Sequence, residues 1–578
     1  MNKHLKYMFA ALALPFALTS CLEEFTPTDQ ATQGQVDKAD KDALSKAVSA
    51  YMTYVTGDMY FDIGFATFGI YRDAMTSDYP VYDPAYDYFS YVGSCTTLGS
   101  TYASQYFFWE RYYKLIQKAN LVLKATDVEN NPEDAFYVAN ALTYRAAMYL
   151  EMAQIYEYRD CGVEAINTEA QRLGCYGLTI PIVTENTSEA ESRNNPRVPY
   201  YTMYRFILED LGNAEKYMKA SDNVSARDEA DLGVIYGLLA RYWLNLGTRF
   251  DLHPEDLSTV ISHEDDADIA YGKLGVTTSR ECFVKAAEYA RLAINQGYSP
   301  LSETQWFDPK TGFNSVNQAW MWAIIISPES ELATYYTWES FVSFQSPEAT
   351  YGVSSSDYNS YHMIDARLFA KISDGDWRKT TWIAPDDVAN EKAFNSKYAR
   401  GTSMGFNEWK AYRAYCGMKF HPNGGDRNTA SSGNIVSIPL MRVEEMYLIE
   451  AEATGRAYGE AAGRQLLEAF VNTYRYTDNS YRSTGAGIDG FIDDVFTQKR
   501  IELWGEGLIL WDYRRLERQI VRGYPGTNWP ELYRYNSQPN VVAPWTTLCL
   551  PELEQNYNPA VILNPDPSHG SNYSLWEE

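Results

Sequence analysis

Two charged, amphipathic stretches late in the chain constrain its fold most. They are residues 438–453, IPLMRVEEMYLIEAEA, and residues 491–517, FIDDVFTQKRIELWGEGLILWDYRRLE. In the first, Pro439 ends an extended entry. Glu444 and Glu445 then fall in a first helical turn, where the unpaired N–H groups favour carboxylates. Val443, Met446, Tyr447 and Glu450 share one face, and Ala451, Ala453 and Gly455 are small enough to let a second helix come close. In the second, Phe491, Ile492, Val495 and Phe496 form a stripe at helical spacing. Gly505 and Gly507 bracket Glu506 and interrupt the helix before Trp511 begins another apolar face. Packed helix pairs follow from this pattern. The many charges do not, because helical packing alone does not require them.

Helical periodicity recurs along the chain. It predicts helices near residues 38–56, 104–126, 132–158, 200–220, 229–246, 279–295, 443–458, 459–474, 490–502 and 508–521. Several are neighbours joined by short turns, such as 200–220 with 229–246. A chain of 578 residues would by length alone hold about four domains of roughly 150 residues. No Pro/Ser-rich linker divides its body, so one continuous, mostly α scaffold with long loop insertions and little β structure is predicted.

The two late stretches resemble the signature blocks of the SusD/RagB family. The first is carried by Ile438, Pro439, Leu440, Arg442, Glu444, Glu445, Leu448, Ala451, Glu452 and Ala453. The second is carried by Phe491, Val495, Arg500, Glu502, Leu503, Gly505, Glu506, Gly507, Asp512, Arg514 and Arg515. Three weaker blocks agree in order: residues 109–123, residues 144–157 followed by GLTIPIV at 177–183, and residues 550–567. The resemblance spans nearly the whole chain but fails at about 251–434, where almost nothing matches. It implies a TPR-like, SusD-like helical superhelix forming a single domain over residues 38–578, with variable insertions around 251–434. It also implies a non-enzymatic surface lipoprotein that captures oligosaccharide or polysaccharide. Such a protein acts as a lid, delivering the glycan to a SusC-like, TonB-dependent outer-membrane transporter. No binding residue transfers by motif, since the family's blocks lie in the scaffold.

The N-terminus agrees. Lys3 and Lys6 form a basic start, and residues 8–18 are an apolar run too short for a transmembrane helix and suited to a signal peptide. Leu18-Thr19-Ser20-Cys21 reads as a lipoprotein processing box. A signal peptide over 1–20, lipidation at Cys21 and a linker to 37 are expected. Multi-chain lipid anchoring would be the only membrane attachment, at the outer membrane. The acidic Glu23 and Glu24 resemble the family's export signal to the cell exterior.

Composition narrows the partners. The formal charge is −27, and removing Lys3 and Lys6 with the signal makes it −29. No basic stripe exists to neutralise phosphates, which argues against nucleic acid. Of 7 cysteines, Cys161 and Cys175 flank a short segment; pairing in an oxidising envelope and free thiols both stay open. The chain also holds 48 Tyr and 14 Trp, some grouped where helices are poor. Tyr79, Tyr82, Tyr86, Tyr88, Phe89 and Tyr91 lie in a segment broken by Pro80, Pro84 and Gly93. Tyr335, Tyr336 and Trp338 follow the strand-like run 321–326, and Trp306 sits in a turn-rich stretch ending at Pro309 and Gly312. Sugar rings stack their C–H faces on such planes, and rigid aromatics give contact area at low entropy cost. Tyr82, Tyr86, Tyr88, Trp306, Tyr336 and Trp338 are therefore the expected substrate-binding rings.

Catalytic and metal motifs dissolve in context. Gly401-Thr402-Ser403-Met404-Gly405 matches G-x-S-x-G but lacks an apolar strand before it. The glycines of 485–490 match G-x-G-x-x-G without the strand that a dinucleotide fold needs. The acidic run 263–268 has carboxylates for calcium but lacks the glycine and spacing of an EF-hand loop. No catalytic residue, metal ligand or cofactor is assigned. The alternatives are a secreted helical glycoside hydrolase, which needs two carboxylates facing each other across a cleft, and a peptide-binding lid of the same family. Glu444, Glu445, Glu450 and Glu452 share one helix and point around it, so they make no such pair.

Overall fold

All ten helices expected from periodicity form in the computed structural model, which describes residues 40–57, 59–334, 338–570 and 572–578. They comprise α1 (Lys41–Tyr51), α3 (Ala103–Ala125), α4 (Ala135–Tyr156), α5 (Tyr200–Lys219), α6 (Leu232–Leu252), α7 (Ser279–Ile294), α8 (Val443–Tyr458), α9 (Glu460–Tyr474), α10 (Gly487–Glu502) and α11 (Ile509–Arg515). The last stops six residues early because the chain turns at Glu517, whose φ is 50°, a conformation no helix continues through. The helix α2 (Ala66–Met75) was not anticipated. Every residue but Gly69 is buried along it, so it carries no polar face and no periodic signal.

Each long helix packs on its neighbour in sequence: α3 on α4, α4 on α5, α5 on α6, α6 on α7. The order then continues with α8 on α7, α9 on α8, and α10 on both α8 and α9. This succession is the superhelix, and residues Asp40–Glu578 form one compact unit. Helix α7 lies inside the stretch where the family pattern fails, yet it packs between α6 and α8 as a full member. The loop-rich excursion follows it. There β1 (Trp320–Ile324) pairs antiparallel with β2 (Ile438–Arg442), with Ala323 opposite Pro439 and Ile324 opposite Ile438. The strand-like run and the extended entry at Pro439 are thus the two halves of one small sheet, and this sheet returns the chain to α8. The close helix approach occurs at Gly455, where an added Cβ would stand 2.2 Å from the Phe491 ring.

The surplus charges of the two late stretches are buried together. Glu502 accepts from Arg378 Nη1 at 2.7 Å, from Arg475 Nε at 2.7 Å and from Arg442 Nη1 at 3.2 Å. Glu506 accepts from Arg442 and from Lys419 Nζ at 2.6 Å. Glu444 lies 2.9 Å from Arg442 Nη1 and also pairs with Arg475, while Asp376 pairs with Arg378 at 2.6 Å. Four cations and four carboxylates are thereby paired, each with at most 1% of its side chain exposed. The helix carboxylates are consumed likewise. Glu445 pairs with Arg241 at 2.6 Å, Glu450 with Arg291, and Glu452 with Arg515 at 2.5 Å. Arg500 holds Asp78, and Lys499 holds Asp512 at 2.9 Å.

The cysteine question resolves toward thiols. All six described cysteines are free and buried. Cys161 Sγ sits 3.4 Å from Tyr158 OH and 3.3 Å from Asn167 Oδ1, while Cys175 Sγ faces the Ala170 carbonyl at 3.6 Å.

Removing one partner from the buried cluster leaves uncompensated charge. We predict that Glu502→Gln lowers unfolding free energy at pH 7 by about 3–5 kcal/mol, measured by urea titration; a loss below about 1 kcal/mol would refute it. Burial opposes ionisation of Glu502, but Arg475, Arg378 and Arg442 together hold its carboxyl well below the ordinary range. A depressed carboxylate stabilises the fold above the unfolded-state pKa and loses that contribution as pH falls toward the folded value. Wild-type stability should therefore decline as pH drops below about 4.3, more steeply than in the variant.

Candidate functional site

The early aromatic segment is held open by pairing with a second loop. Tyr82 N–H donates to Tyr361 O at 2.9 Å, Asp83 N–H to Asn359 O at 3.1 Å, and Met363 N–H to Pro80 O at 2.7 Å. Ser360 Oγ donates to Asp83 O and accepts from Tyr86 N–H. Asp83 caps the single turn Pro84–Tyr86 through Ala85 N–H. The proline fixes the turn, and the turn lifts Tyr86 outward.

Four of the six expected rings come together here. Tyr82 stacks on Tyr361 at 5.1 Å and 11°. Tyr86 and Trp338 both pack edge-on to Tyr358, at 5.0 and 4.6 Å. Trp338 Nε1 donates to Tyr88 OH at 2.6 Å, and Tyr88 stacks with Tyr60 at 6.0 Å. Tyr60 is 75% exposed, Tyr86 43% and Tyr82 37%. Tyr60 and Tyr358 were not anticipated. Tyr60 lies beside Phe61 and Tyr358 between Tyr351 and Tyr361, and nothing in their spacing sets them apart from the rings next to them. Arg413 was also missed. Its Nε donates to Tyr82 OH at 3.0 Å, its guanidinium lies over that ring, and among the described residues no carboxylate pairs with it. The hydrogen bond with Tyr82 raises its pKa further.

The cluster rests on a dry base. His362 stacks on Tyr79 at 3.8 Å, and burial pulls its imidazole down to about 3, so it is neutral at physiological pH. Asp87 accepts from Phe89 N–H and from Tyr533 OH, both at 2.9 Å. Burial pushes its carboxyl up to about 6 against those two bonds.

Trp306 does not belong to this surface. It is 1% exposed, and its Nε1 donates to Thr381 Oγ1 at 3.1 Å. Lys419, Arg442 and Arg475 lie 5.0–5.7 Å from its ring centre. The electron-rich face covers buried cations, a structural role that corrects the expectation of a stacking platform. Tyr336 lies outside the described residues, as does Cys21. The serine of the G-x-S-x-G match donates its backbone N–H to Glu348 at 2.8 Å, in a chain turn with no strand before it. Gly485 meets Gly490 backbone to backbone in the turn that opens α10. In the acidic run, Glu264 accepts from Leu274 N–H, Asp265 pairs with Lys273, and Asp266 accepts from Asp268 N–H. No group of metal-ligating side chains occurs among the described residues, and no described helix is long and apolar enough to cross a membrane.

Fold and site together define a helical superhelix that presents a loop-built, exposed aromatic surface. Comparison with known proteins gives this class a family. The family model described as SusD family matches residues 301–573, and the one described as starch-binding associating with outer membrane matches residues 40–244. The chain belongs to the SusD/RagB family. A SusD-like carbohydrate binding protein of Bacteroides vulgatus superposes with a TM-score of 0.63 at 18% identity, covering 90% of this chain and 96% of that one. A SusD homologue of Bacteroides thetaiotaomicron gives 0.61 at 15%, covering 93% and 99%. A SusD superfamily protein of Parabacteroides distasonis gives 0.58 at 15%, covering 91% and 99%. No curated protein matches the chain by sequence.

Burial separates the rings into two kinds. Trp306→Ala is expected to cost about 3–5 kcal/mol of stability, and Tyr86→Ala to stay within about 0.5 kcal/mol of wild type. Parallel urea melts check this, and equal costs for the two would overturn the division.

Proposed function

We propose that the surface formed by Tyr60, Tyr82, Tyr86, Tyr88, Trp338 and Tyr358 binds a glycan without cleaving it. The observation that carries this reading is the set of exposed and half-buried rings at differing tilts that gathers around two mutually clamped loops. A sugar ring offers C–H faces to such planes and hydroxyls to polar neighbours. Arg413 supplies guanidinium donors without an ion pair among the described residues, and Asp83, Glu339 and Asp357, beside the rings in sequence, supply acceptors. Loops held by a rigid scaffold are where binding residues concentrate. Tyr336, two residues before Trp338, remains a candidate member.

The family's description as starch-binding and associated with the outer membrane supports a carbohydrate ligand and that location. We infer further that lipidated Cys21 anchors the protein there, facing the exterior. In this reading the protein is a lid that passes oligosaccharide to a TonB-dependent transporter.

The binding test uses the purified protein on a glycan panel, reading both retention and reducing-sugar release. Retention without release is expected. For the retained glycan, Tyr82→Ala and Tyr86→Ala should each weaken binding by about 1–2 kcal/mol, roughly ten-fold, in calorimetry. Wild-type affinity in both variants would place the ligand elsewhere, and sugar release would promote the hydrolase. Retention of peptides but no glycan would favour the peptide-binding lid.

The anchor and the partner are tested in cells. Cys21→Ala should move the protein out of the membrane fraction, and gentle detergent pull-down of wild type should recover a TonB-dependent transporter. A variant that still sediments with membranes refutes the anchor. Repeated recovery of the wild-type protein alone refutes the lid.

A further inference from the structure

A second cleft opens on the scaffold, sharing no residue with the aromatic surface. It has a volume of about 410 Å³ and lies between the short helix Ala366–Ala370, α10 and the segment that follows α11. One wall is apolar, with Leu368, Phe496, Val521 and Pro539. The rest is ionic, and in a chain of charge −27 its four cations, Arg367, Lys371, Arg500 and Arg518, are unexpected.

The carboxylates that line it are already engaged. Asp365 accepts from Arg367 N–H at 3.0 Å, Leu368 N–H at 3.1 Å and Tyr524 OH at 2.8 Å. Asp493 pairs with Arg518 Nη2 at 2.6 Å. Glu517 pairs with Arg159 at 2.5 Å and with His253 at 2.8 Å. Asp78, behind the wall, receives Arg500. Donors remain over. Arg518 Nε is buried with no hydrogen-bond partner. Arg367 stacks flat on Tyr524, gives one bond to Val521 O at 2.9 Å, and is 3.9 Å from Asp365. Among the described residues Lys371 has no carboxylate within ion-pair distance. The surrounding protein lowers its pKa, by desolvation first and by the Arg500 charge second. An ammonium in that position is stabilised by an incoming anion.

We propose that this cleft binds a carboxylate-bearing ligand of monosaccharide size, a sugar acid, with its carboxylate on Lys371 and Arg518 and its ring against the apolar wall. The volume lies within the range of small-molecule sites and exceeds what a bare oxyanion fills. Lys371 fixes the polar end because it has no ion pair among the described residues, and Arg518 adds the Nε that its pairing with Asp493 leaves unbonded.

The test is calorimetry on the whole mature chain with sodium glucuronate, glucose and sodium sulfate, at ionic strength held constant with sodium chloride. Glucuronate should bind and glucose should not. Lys371→Met should weaken glucuronate binding at least ten-fold, with an unchanged melting temperature because the substitution breaks no ion pair. Arg518→Gln should weaken it as well, and Tyr86→Ala should leave it as in wild type. The proposal falls if glucuronate and glucose behave alike, if sulfate binds and glucuronate does not, or if Lys371→Met binds like wild type. Loss of glucuronate binding in Tyr86→Ala would assign the sugar acid to the aromatic surface and overturn the cleft.

Discussion

The structure depends on a balance of buried charge around Glu502. Four cations and four carboxylates sit together with almost no access to water. A lone charge there would cost several kcal/mol, while the full set compensates itself. The members come from distant parts of the chain: Asp376 and Arg378 from the loop-rich excursion, Lys419 from its end, Arg442 and Glu444 from the β2–α8 junction, Arg475 after α9, and Glu502 and Glu506 at the close of α10. Each segment must arrive in register for any of the charges to be satisfied. The cluster thereby ties an irregular excursion of more than a hundred residues to a regular helical stack. Apolar residues of equal volume can stabilise as well in such a place, but they would accept shifted registers that the ion pairs refuse.

The same constraint explains what the sequence could and could not disclose. Helices α5, α7, α9 and α10 were legible because one face of each meets water and the periodic pattern survives, whereas α4, α6 and α8 are buried along most of their length and were legible by the length of their unbroken runs. Helix α2 was invisible because both faces are covered. The late signature blocks announced their charges but not their purpose, since partners separated by 60 or more residues, such as Arg442 with Glu502, have no local trace. Trp306 was misjudged for the same reason. Its neighbours Pro309 and Gly312 correctly indicate an irregular backbone, and irregular backbone is usually exposed. Here the ring is drawn inward over Lys419, Arg442 and Arg475, cations that its local sequence does not contain. Tyr82, Tyr86, Tyr88 and Trp338 were legible because several rings crowd into segments that no helix can use. Tyr358, Tyr60 and Arg413 join them only through tertiary pairing.

Scaffold and aromatic surface are mechanically joined at Asp78. Its carboxylate receives Arg500 and Tyr513 OH, and its carbonyl accepts from Trp504 Nε1 at 2.8 Å. The next residue, Tyr79, is buried against His362. The exposed rings begin three residues later, so the surface loop leaves the core from a clamped root and is clamped again by the 358–363 segment. Rings held in this way lose little freedom when a ligand arrives, and that raises affinity without adding contacts.

Burying charge in balanced sets also decides where the net charge lies. The Glu502 cluster and the pairs Arg145–Asp210 and Arg111–Asp62 withdraw cations and carboxylates from the surface in near-equal number. The excess of carboxylates, −27 by sequence, is therefore left outside. Its field opposes polyanions at long range, which suits an aromatic surface for neutral sugars. At about 8 Å and beyond, physiological salt screens that field, whereas an unpaired ammonium acts at contact. Lys371, without an ion-pair partner among the described residues, and the unbonded Nε of Arg518 can therefore select a small anion on a protein whose surface as a whole repels large ones.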